Sequence, residues 1–598
     1  MRQRYPAIGD YALLSDCHCG ALVSRHGSVD WCCMPRFDDD TCFGRLLDWE
    51  KGGHCSIAPA KVFTSEWQYV PGTMIVETRF RTAEGEVQVT DFLAMDAPEE
   101  PRYDLVRIVD GLHGDVEMLV EVCPRFDYGE IFPFIRRHGP QLHSAIGSNQ
   151  GLLIRADMPL ETTGRGSLGC RFHLRAGERA RLALQFEFPE RIDLAVSEDG
   201  IRPEEIDRHL DSTREWWSGW TARMRPPCEV DAHTVRSAIV LKGMTFEPTG
   251  AIIAAPTTSL PEWPGGERNW DYRFSWVRDS VFTIRVLHTL GYAAEADRFH
   301  DFIQRSAAGS AEQLQIMYGV DGKRRLTESE LQWLEGYRGS RPVRIGNAAA
   351  GQTQLDIYGE LLEMAWQWHC HGHETEPDYW DFLHDVVQTV CRRWQEADHG
   401  IWEVRGEPRH YVHSKAMCWA ALNRGLQLAQ ANGFSAPVEH WTKTRDAIRA
   451  AIEERGVDAG RGIFVQAFDS SELDAALLIL PRIDFVTYDD PRMLRTVQAI
   501  RDTLEEDGLL LRYRGPDGLA GPEGMFLPCT FWLVACLAQQ GAKDLARAYY
   551  DRCLACSNEL GLFSEEYDMD AGQMLGNYPQ GLTHVSQVMA WLALKGED

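Results

Sequence analysis

The sequence predicts a multidomain protein in which an N-terminal antiparallel β-sandwich is followed by an all-α (α/α)6 barrel. Three observations lead to this fold class. The chain has 598 residues, which is too many for one ordinary hydrophobic core. Apolar and polar residues alternate in the first third of the chain, and helical periodicity dominates the rest. The expected boundaries are a β-sandwich at 1–205, a helical linker at 206–228 and the barrel at 229–598.

Strands are expected throughout the N-terminal domain. Three segments alternate apolar and polar residues with Gly-containing turns between them: "MIVETRFRTAEGEVQVTDFLAM", "YDLVRIVDGLHGDVEMLVEVCPRFDY" and "RARLALQFEF". The opening "GDYALLSDCHCGALVSRHGSVDWCC" also has the pattern of short strands, with "RHGS" as a hairpin turn. Together these segments predict a β-sandwich.

Helical segments begin at the linker, where "EEIDRHLDSTREWWSGWTARM" ends at the proline pair of "RPPC". Twelve further amphipathic segments are expected at 232–245, 279–290, 294–308, 350–370, 377–396, 412–431, 437–455, 471–480, 490–503, 528–540, 542–556 and 581–595. Six inner and six outer helices in a ring bury such faces against one another. The long loops 246–278, 309–349 and 504–527 are then free to form a site at one end of the ring.

Charge and composition limit the expected partners. Lys and Arg total 61 against 89 Asp and Glu, which gives a formal net charge of −28. Such a surface repels nucleic acid and anionic membranes. The N-terminus lacks the apolar core of a secretory signal, and no stretch approaches the ~18 apolar residues of a membrane span. We therefore expect a cytoplasmic protein that binds a small molecule and neither nucleic acid nor a membrane; a homo-oligomer is compatible with the sequence.

Sixteen cysteines raise the question of a metal site. Their closest groupings are Cys17 with Cys19, Cys32 with Cys33, and Cys553 with Cys556. None of these has the spacing of a zinc motif. In a chain without an export signal we expect reduced thiols and no metal.

The first candidate for a functional site is the loop segment "ERNWDYRFSWVRDSVFTIRVL". It concentrates aromatic and charged residues before an apolar helical run: Trp270, Tyr272, Trp276, Arg278 and Asp279. Asp279 could simply cap that helix and pair with Arg278. The density of large aromatic residues on a loop favours a binding site instead.

The second candidate is Glu403, which lies between Trp402 and Arg405 in "HGIWEVRGEPRHYVHSK". A carboxyl group against an indole ring in a partly dry pocket has a raised pKa, so it can donate a proton near neutral pH. The alternative is an exposed turn glutamate paired with Arg405.

The third candidate is the pair Glu565 and Glu566 in "FSEEYDMDAG". Adjacent side chains usually diverge, so we expect one catalytic carboxylate and one supporting carboxylate. Sugar rings stack on aromatic faces and hydrogen-bond to carboxylates and guanidinium groups. The three segments together predict a carbohydrate site, and two carboxylates are the minimum apparatus for glycoside hydrolysis.

These motifs, in this order and spacing, resemble glycoside hydrolase family 15, the glucoamylase-like enzymes, in the bacterial form with an N-terminal sandwich. The resemblance covers nearly the whole chain. "GDYALLSDCHCGALVSRHGSVDWCCMPRFDDDTCFGRLL" is similar to the opening of the family's bacterial glucoamylases, glucodextranases and trehalases. "DYRFSWVRDS" resembles its subsite −1 loop, "GIWEVRG" its general-acid loop and "SEEYD" its general-base loop.

The resemblance implies a role for each candidate residue. Glu403 would be the general acid and Glu565 the general base, with Glu566 in support. Arg278 and Asp279 would hold the hydroxyls of the terminal glucose. The remaining residues of that subsite would be Tyr272, Trp276 and Trp402. The family's outcome is inversion without a metal or an organic cofactor, so an α-glucoside would release β-D-glucose.

The +1 side of the site departs from the family pattern. Fungal glucoamylases carry a second acid directly after the general acid, whereas this chain has Val404 followed by Arg405. The loop 309–349 would either wall the +1 side or serve only as a connection. The segment "PRFDDD", at 35–40, is a further candidate to reach the pocket.

The main functional prediction is an inverting exo-α-glucosidase that acts on short malto- and isomalto-oligosaccharides. An α,α-trehalase with the same mechanism is the alternative, because the sequence does not distinguish α-1,4, α-1,6 and α,α-1,1 bonds. A disaccharide phosphorylase would need an anion pocket where Glu565 stands, and a carboxylate there repels phosphate. A non-catalytic sugar-binding protein would be expected to have lost one of the two acids, and both are present.

Overall fold

The N-terminal domain is antiparallel β-structure, as predicted. The computed structural model describes residues 4–95, 103–197, 203–515, 517–519 and 521–597. In the described N-terminal part fifteen strands pair into one continuous antiparallel system. They are β1 (Tyr11–Ser15), β2 (Gly20–Ser24), β3 (Ser28–Cys33), β4 (Thr41–Phe43), β5 (His54–Pro59), β6 (Thr64–Tyr69), β7 (Val76–Arg81), β8 (Gly85–Leu93), β9 (Asp104–Cys123), β10 (Phe134–Arg137), β11 (Leu142–Gly147), β12 (Gln150–Ala156), β13 (Glu161–Gly164), β14 (Ser167–Arg175) and β15 (Arg179–Phe186).

The long strand β9 joins the two layers of the sandwich. Its first half pairs with β8 and β15, and its second half pairs with β5 and β14. Across the interior, β1 and β2 of one layer contact β8 of the other. The expected hairpin at "RHGS" joins β2 to β3, and Gly27 adopts φ 81° in that turn.

Two glycines shape the long strand β9 without ending it. Gly111 and Gly114 lie within one strand of 20 residues. A Cβ atom at Gly111 would lie 2.0 Å from the carbonyl oxygen of Arg175, and Gly114 has φ 70°. The glycines therefore let neighbouring backbone approach and bend β9 from one layer into the other, instead of ending it.

Two helices follow the strands, α1 (Ile192–Ser197) and α2 (Pro203–Thr221). The helix α2 packs against both domains. On the sandwich side, the Thr213 hydroxyl accepts a hydrogen bond of 2.9 Å from the Met95 backbone N–H. On the barrel side, the Trp220 ring stacks on Tyr292 with centroids 4.0 Å apart, and its indole N–H donates to Glu295 at 2.7 Å.

Eleven α-helices and one short 3-10 turn make up the barrel in the described residues. The helices are α3 (Ala232–Gly243), α4 (Val277–Thr289), α5 (Ala293–Ser306), α6 (Asp356–Cys370), α7 (Pro377–Arg393), α8 (Val412–Asn432), α9 (Val438–Arg455), α10 (Pro491–Leu504), α11 (Leu527–Gln539), α12 (Lys543–Leu554) and α13 (Gly581–Lys595). The helix expected at 471–480 is only the 3-10 turn Ala475–Ile479. Pro481 follows it, and proline lacks the N–H that would continue a helix.

The inner ring closes through contacts of α4 with α6, α6 with α8, α8 with the 3-10 turn, that turn with α11, α11 with α13, and α13 with α4. The other six helices pack outside, each against one or two inner elements. This is the predicted (α/α)6 arrangement. In the described part of the chain, no helix has both the length and the apolar character needed to cross a bilayer.

Short strands of two or three residues lie in the loops of the barrel. They pair as β16 (Ser275–Trp276) with β17 (Met317–Tyr318), β18 (Ser329–Glu330) with β19 (Arg344–Ile345), β20 (Val457–Asp458) with β21 (Ile463–Phe464), β22 (Glu505–Glu506) with β23 (Leu509–Leu510), and β24 (Met525–Phe526) with β25 (Glu566–Asp568) and β26 (Gln573–Leu575). Several of these pairs hold loops that precede inner helices, and those loops form the candidate site.

Candidate active site

Two adjoining cavities lie where the loops before the inner helices meet. The carboxylate cavity, about 330 Å³, is lined by Ala254, Tyr272, Trp276, Arg278, Asp279, Trp402, Glu403, Arg512, Phe526, Glu565, Gln580 and Leu582. The arginine cavity, about 460 Å³, is lined by Glu262, Arg268, Trp270, Tyr272, Trp276, Asn347, Ala349, Trp402, Glu403, Val404, Arg405, Arg512, Tyr513, Asp517 and Leu519. The cavities share five lining residues, Glu403 among them, so they are two parts of one site.

Glu403 is held in an unusual backbone conformation. Its φ is 50°, in the left-handed region that a glutamate rarely adopts. One oxygen, Oε1, accepts hydrogen bonds of 3.3 Å from the Trp276 indole and from Arg278 Nη1. Burial raises the pKa of Glu403, and the nearby Arg278 opposes that rise. Arg405 pairs with Glu328 at 3.3 Å, so the exposed turn pairing of Glu403 with Arg405 is not formed.

Glu565 is buried on the same cavity, with only 3% of its surface exposed. Its Oε1 accepts a hydrogen bond of 2.9 Å from the Tyr272 hydroxyl. Burial raises the pKa of Glu565 to about 8; the neighbouring Glu262 adds to the rise, while Arg512 and the Tyr272 hydroxyl oppose it. Glu565 therefore holds a proton readily and also has a fixed partner for its ionised form.

Glu566 diverges from Glu565, as is usual for neighbours on a strand. Its Oε2 accepts a hydrogen bond of 2.8 Å from the Gly524 backbone N–H, and its Oε1 lies 3.3 Å from Arg512 Nη2. Burial raises the pKa of Glu566 well above its ordinary value. This carboxyl lines neither cavity and holds Arg512 from behind.

Arg278 and Asp279 occupy the first turn of α4. Arg278 Nε donates to Asp279 Oδ1 at 2.6 Å, and Arg278 Nη1 donates to the Ile401 carbonyl at 2.7 Å. The pairing that the sequence suggested is thus present, yet both residues also line the carboxylate cavity. Within the described residues, the buried Asp279 Oδ2 has no hydrogen-bond partner, which leaves one acceptor for a ligand hydroxyl.

The sequence did not single out the charged residues around Arg512. The Arg512 Nη2 atom lies 3.1 Å from Glu262 and 3.1 Å from Glu523. Arg268 contacts Glu523 at 2.8 Å and Asp517 through a bidentate pair. These residues come from loops about 250 positions apart in the chain. Arg268 lies in the aromatic segment already noted, but the "LLLRYRGPDG" stretch with Arg512 gives no signal of its own.

Trp270 forms one wall of the arginine cavity. Its ring centroid lies 4.6 Å from the guanidinium carbon of Arg344 and 4.5 Å from that of Arg405. Its indole N–H donates to Glu262 at 3.1 Å. The loop 309–349 supplies Arg344 and also places Asn347 at the cavity, so it forms a wall and not merely a connection.

Of the remaining predicted residues, some line a cavity and the others lie outside both cavities. Trp402 lines both cavities and donates from its indole N–H to Asp474 at 2.9 Å. Val404 lines the arginine cavity. The segment 35–40 lines neither cavity; instead the Asp39 carbonyl accepts a hydrogen bond of 2.8 Å from Arg273, which braces the loop of Tyr272 from outside.

Comparisons with known proteins agree with this architecture. The model "Glycosyl hydrolases family 15" matches residues 231–543, and "Trehalase-like, N-terminal" matches residues 2–158. A trehalase of Mycolicibacterium smegmatis is 40% identical over 99% of this chain and 91% of its own length. A trehalase of Thermoplasma volcanium is 34% identical over 98% and 93%. An isomaltose glucohydrolase of Kribbella flavida is 26% identical over 58% of this chain and 83% of its own length.

The fold has a solved counterpart. A bacterial glucoamylase crystallised with acarbose superposes with a TM-score of 0.74, at 12% identity, over 99% of this chain and 94% of that chain. This match confirms the predicted sandwich and (α/α)6 barrel, and the family model confirms the predicted resemblance. The chain is a glycoside hydrolase and belongs to glycosyl hydrolases family 15.

Proposed function

We propose that the protein is an inverting α,α-trehalase, which hydrolyses trehalose to one molecule of β-D-glucose and one of α-D-glucose. The sequence predicts this activity as the alternative to an exo-α-glucosidase that acts on malto- and isomalto-oligosaccharides. Relatives named trehalase match almost the full chain at 32–40% identity, whereas the isomaltose glucohydrolase matches 58% of it. The similarity therefore supports the α,α-1,1 linkage over the main prediction.

The observation that carries the proposal is the position of Glu403 between the two cavities. One glucose unit would occupy the carboxylate cavity, where Arg278 and Asp279 are available to its hydroxyls. The second glucose would occupy the arginine cavity. Arg268 and Asp517 form an ion pair at the wall of that cavity. The Tyr513 hydroxyl donates a hydrogen bond of 3.1 Å to Asp517.

The reaction follows from the two carboxyl groups. Protonated Glu403 gives its proton to the glycosidic oxygen as the bond from C1 to that oxygen breaks. Ionised Glu565 removes a proton from a water molecule whose oxygen bonds to C1 from the opposite face. The attacked unit leaves as β-D-glucose, and the departing unit keeps its α configuration. Exchange of protons with solvent then restores both groups.

Kinetics on a panel of disaccharides test the substrate. Purified protein would be given trehalose, maltose, isomaltose, kojibiose and nigerose, with and without inorganic phosphate. We expect kcat/KM for trehalose to exceed that for each other sugar at least tenfold, with free glucose as the product. A preference for maltose or isomaltose would instead support the exo-α-glucosidase that the sequence mainly predicts. Formation of glucose 1-phosphate would mean phosphorolysis.

A further inference from the structure

A group of metal-ligating side chains lies outside both cavities, around the C-terminal end of α4. His288 is in the last turn of α4, Asp297 is in α5, and His373 lies in the loop between α6 and α7. One ligand atom from each of the three lies within 4.8 Å of the other two. Cysteine spacing could not indicate this group, because its nitrogen and oxygen donors come from three elements.

The geometry of the three donors approaches that of a metal site. His373 Nε2 lies 3.6 Å from Asp297 Oδ1. Two ligands on a tetrahedral zinc ion, each bonded at about 2.1 Å, are separated by about 3.4 Å. One edge of the coordination shell is therefore nearly formed, and the ligand atom of His288 lies within 4.8 Å of both other donors.

The pairing of these groups within the protein is incomplete. In the described residues, His288 Nε2 and Asp297 Oδ1 are buried atoms without a hydrogen-bond partner. The contact of 3.6 Å between His373 and Asp297 is too long for a hydrogen bond. Buried polar atoms are normally satisfied, so such a group points to a missing ligand.

Aromatic stacking fixes the imidazole rings. The His373 ring stacks on Trp368 with centroids 3.9 Å apart, and the His300 ring also stacks on Trp368, at 4.1 Å. His288 stacks on His371 at 4.2 Å. Rings that are oriented before a ligand binds lose little freedom on binding.

We propose that His288, Asp297 and His373 bind one divalent transition-metal ion, with zinc as the best match to two imidazoles and one carboxylate. The ion ties α4 and α5 to the loop after α6. Nine residues of α4 separate His288 from Asp279, a helical rise of about 13 Å. The ion is therefore too remote to touch the sugar, and it stabilises the barrel without taking part in the reaction.

Calorimetric titration with zinc chloride and thermal melts test the site on tag-free full-length protein after treatment with EDTA. We expect one zinc ion per chain, with a micromolar or lower Kd, and a higher Tm when zinc is present. Asp297→Asn and His373→Ala should each weaken zinc binding at least tenfold and abolish the rise in Tm. A lack of saturable binding by the wild-type protein, or wild-type affinity in both variants, would overturn the proposal.

Two control variants exclude other donors. His440→Ala removes an exposed histidine on α9, and Cys370→Ser removes the exposed thiol near His371. Both should bind zinc as the wild type does; loss of binding in either would contradict the assignment. Titration of the wild-type protein with Co²⁺ adds a spectroscopic readout, since a tetrahedral His and Asp site gives visible absorption that Asp297→Asn should lose.

Discussion

The two carboxyl groups of the site are positioned by different local features. Gly400, at φ 68°, turns the chain ahead of Glu403, which itself takes φ 50°. A strained conformation of this kind persists only where the surroundings enforce it, here through the contacts of Arg278 with Ile401 and Glu403. Glu565 lies instead just before the short strand β25 and is fixed by the Tyr272 hydroxyl. The two carboxyl groups that we propose as acid and base are thus held by different contacts.

Replacement of either carboxyl group should remove most of the activity. Glu403→Gln and Glu565→Gln are each expected to lower kcat by about 10²–10⁴-fold, because proton transfer is lost. Steady-state kinetics on trehalose, with circular dichroism to check the fold, measure this. Glu407→Gln, at an exposed position in the Glu403 loop, is the matched control. Wild-type turnover by Glu565→Gln would reject it as the base.

The Tyr272 hydroxyl should set the pH at which the base becomes active. Its hydrogen bond favours the ionised form of Glu565, whose pKa burial raises to about 8. Tyr272→Phe therefore raises the pKa of Glu565 further, and the acidic limb of kcat/KM moves to higher pH by about 0.5–1 unit. A pH–rate profile of both proteins measures this shift. An acidic limb at the same pH in both would show that another group controls it.

Burial of Glu565 should also make stability depend on pH. The pKa of Glu565 is raised from 4.5 in the unfolded chain to about 8 in the folded chain, so the folded state holds a proton that the unfolded state releases. The contribution of this group to stability is full below pH 4.5 and falls as pH rises to about 8. Glu565→Gln should therefore gain Tm relative to the wild type between pH 5 and pH 8. A Tm difference that is constant with pH would contradict the shifted pKa.

At the scale of the elements, the loop 309–349 contributes Glu328, which holds two arginines beside the proposed second subsite. Glu328 contacts Arg405 at 3.3 Å and Arg344 at 3.6 Å, and both guanidinium groups also contact the Trp270 ring. This loop holds the arginine cavity together although it supplies neither catalytic carboxylate.

Glu328→Gln should weaken binding of the second glucose more than it slows the chemistry. Loss of one partly buried ion pair lets Arg405 move, so we expect KM for trehalose to rise about 3- to 10-fold with kcat within twofold of the wild type. Steady-state kinetics separate the two constants. Glu330→Gln, at the exposed end of β18 two residues further along the chain, should leave both unchanged. An unaltered KM in Glu328→Gln would remove Arg405 from the second subsite.

Local patterns were enough to predict the elements, but not the contacts between distant loops. Periodicity indicated the sandwich and eleven of the barrel helices, because each buries one face. The same rule overestimated the helix expected at 471–480. The residues of the turn Ala475–Ile479 are all buried, but only a 3-10 turn forms there before Pro481. Motifs indicated where Glu403 and Glu565 lie in the chain. Glu262 and Arg512 could not be predicted, since their pairing depends on how two remote loops fold together.

At the scale of the whole molecule, α2 and the N-terminal domain attach to the barrel at different places. The Trp220 contacts with Tyr292 and Glu295 attach α2 to the barrel next to α4, and Asp39 braces Arg273. The sandwich therefore supports the loops of the carboxylate cavity without lining it. The expected lack of nucleic-acid and membrane partners rests on the net charge of −28 and stays a prediction.

Hydrolysis in H₂¹⁸O tests whether Glu403 and Glu565 cleave trehalose with inversion. Carbon-13 NMR of trehalose turnover, recorded before the anomers interconvert, locates the label by its isotope shift at C1. The account predicts equal amounts of the two anomers, with ¹⁸O only in β-D-glucose. Label in α-D-glucose, or cleavage without incorporation of solvent oxygen, would contradict the account.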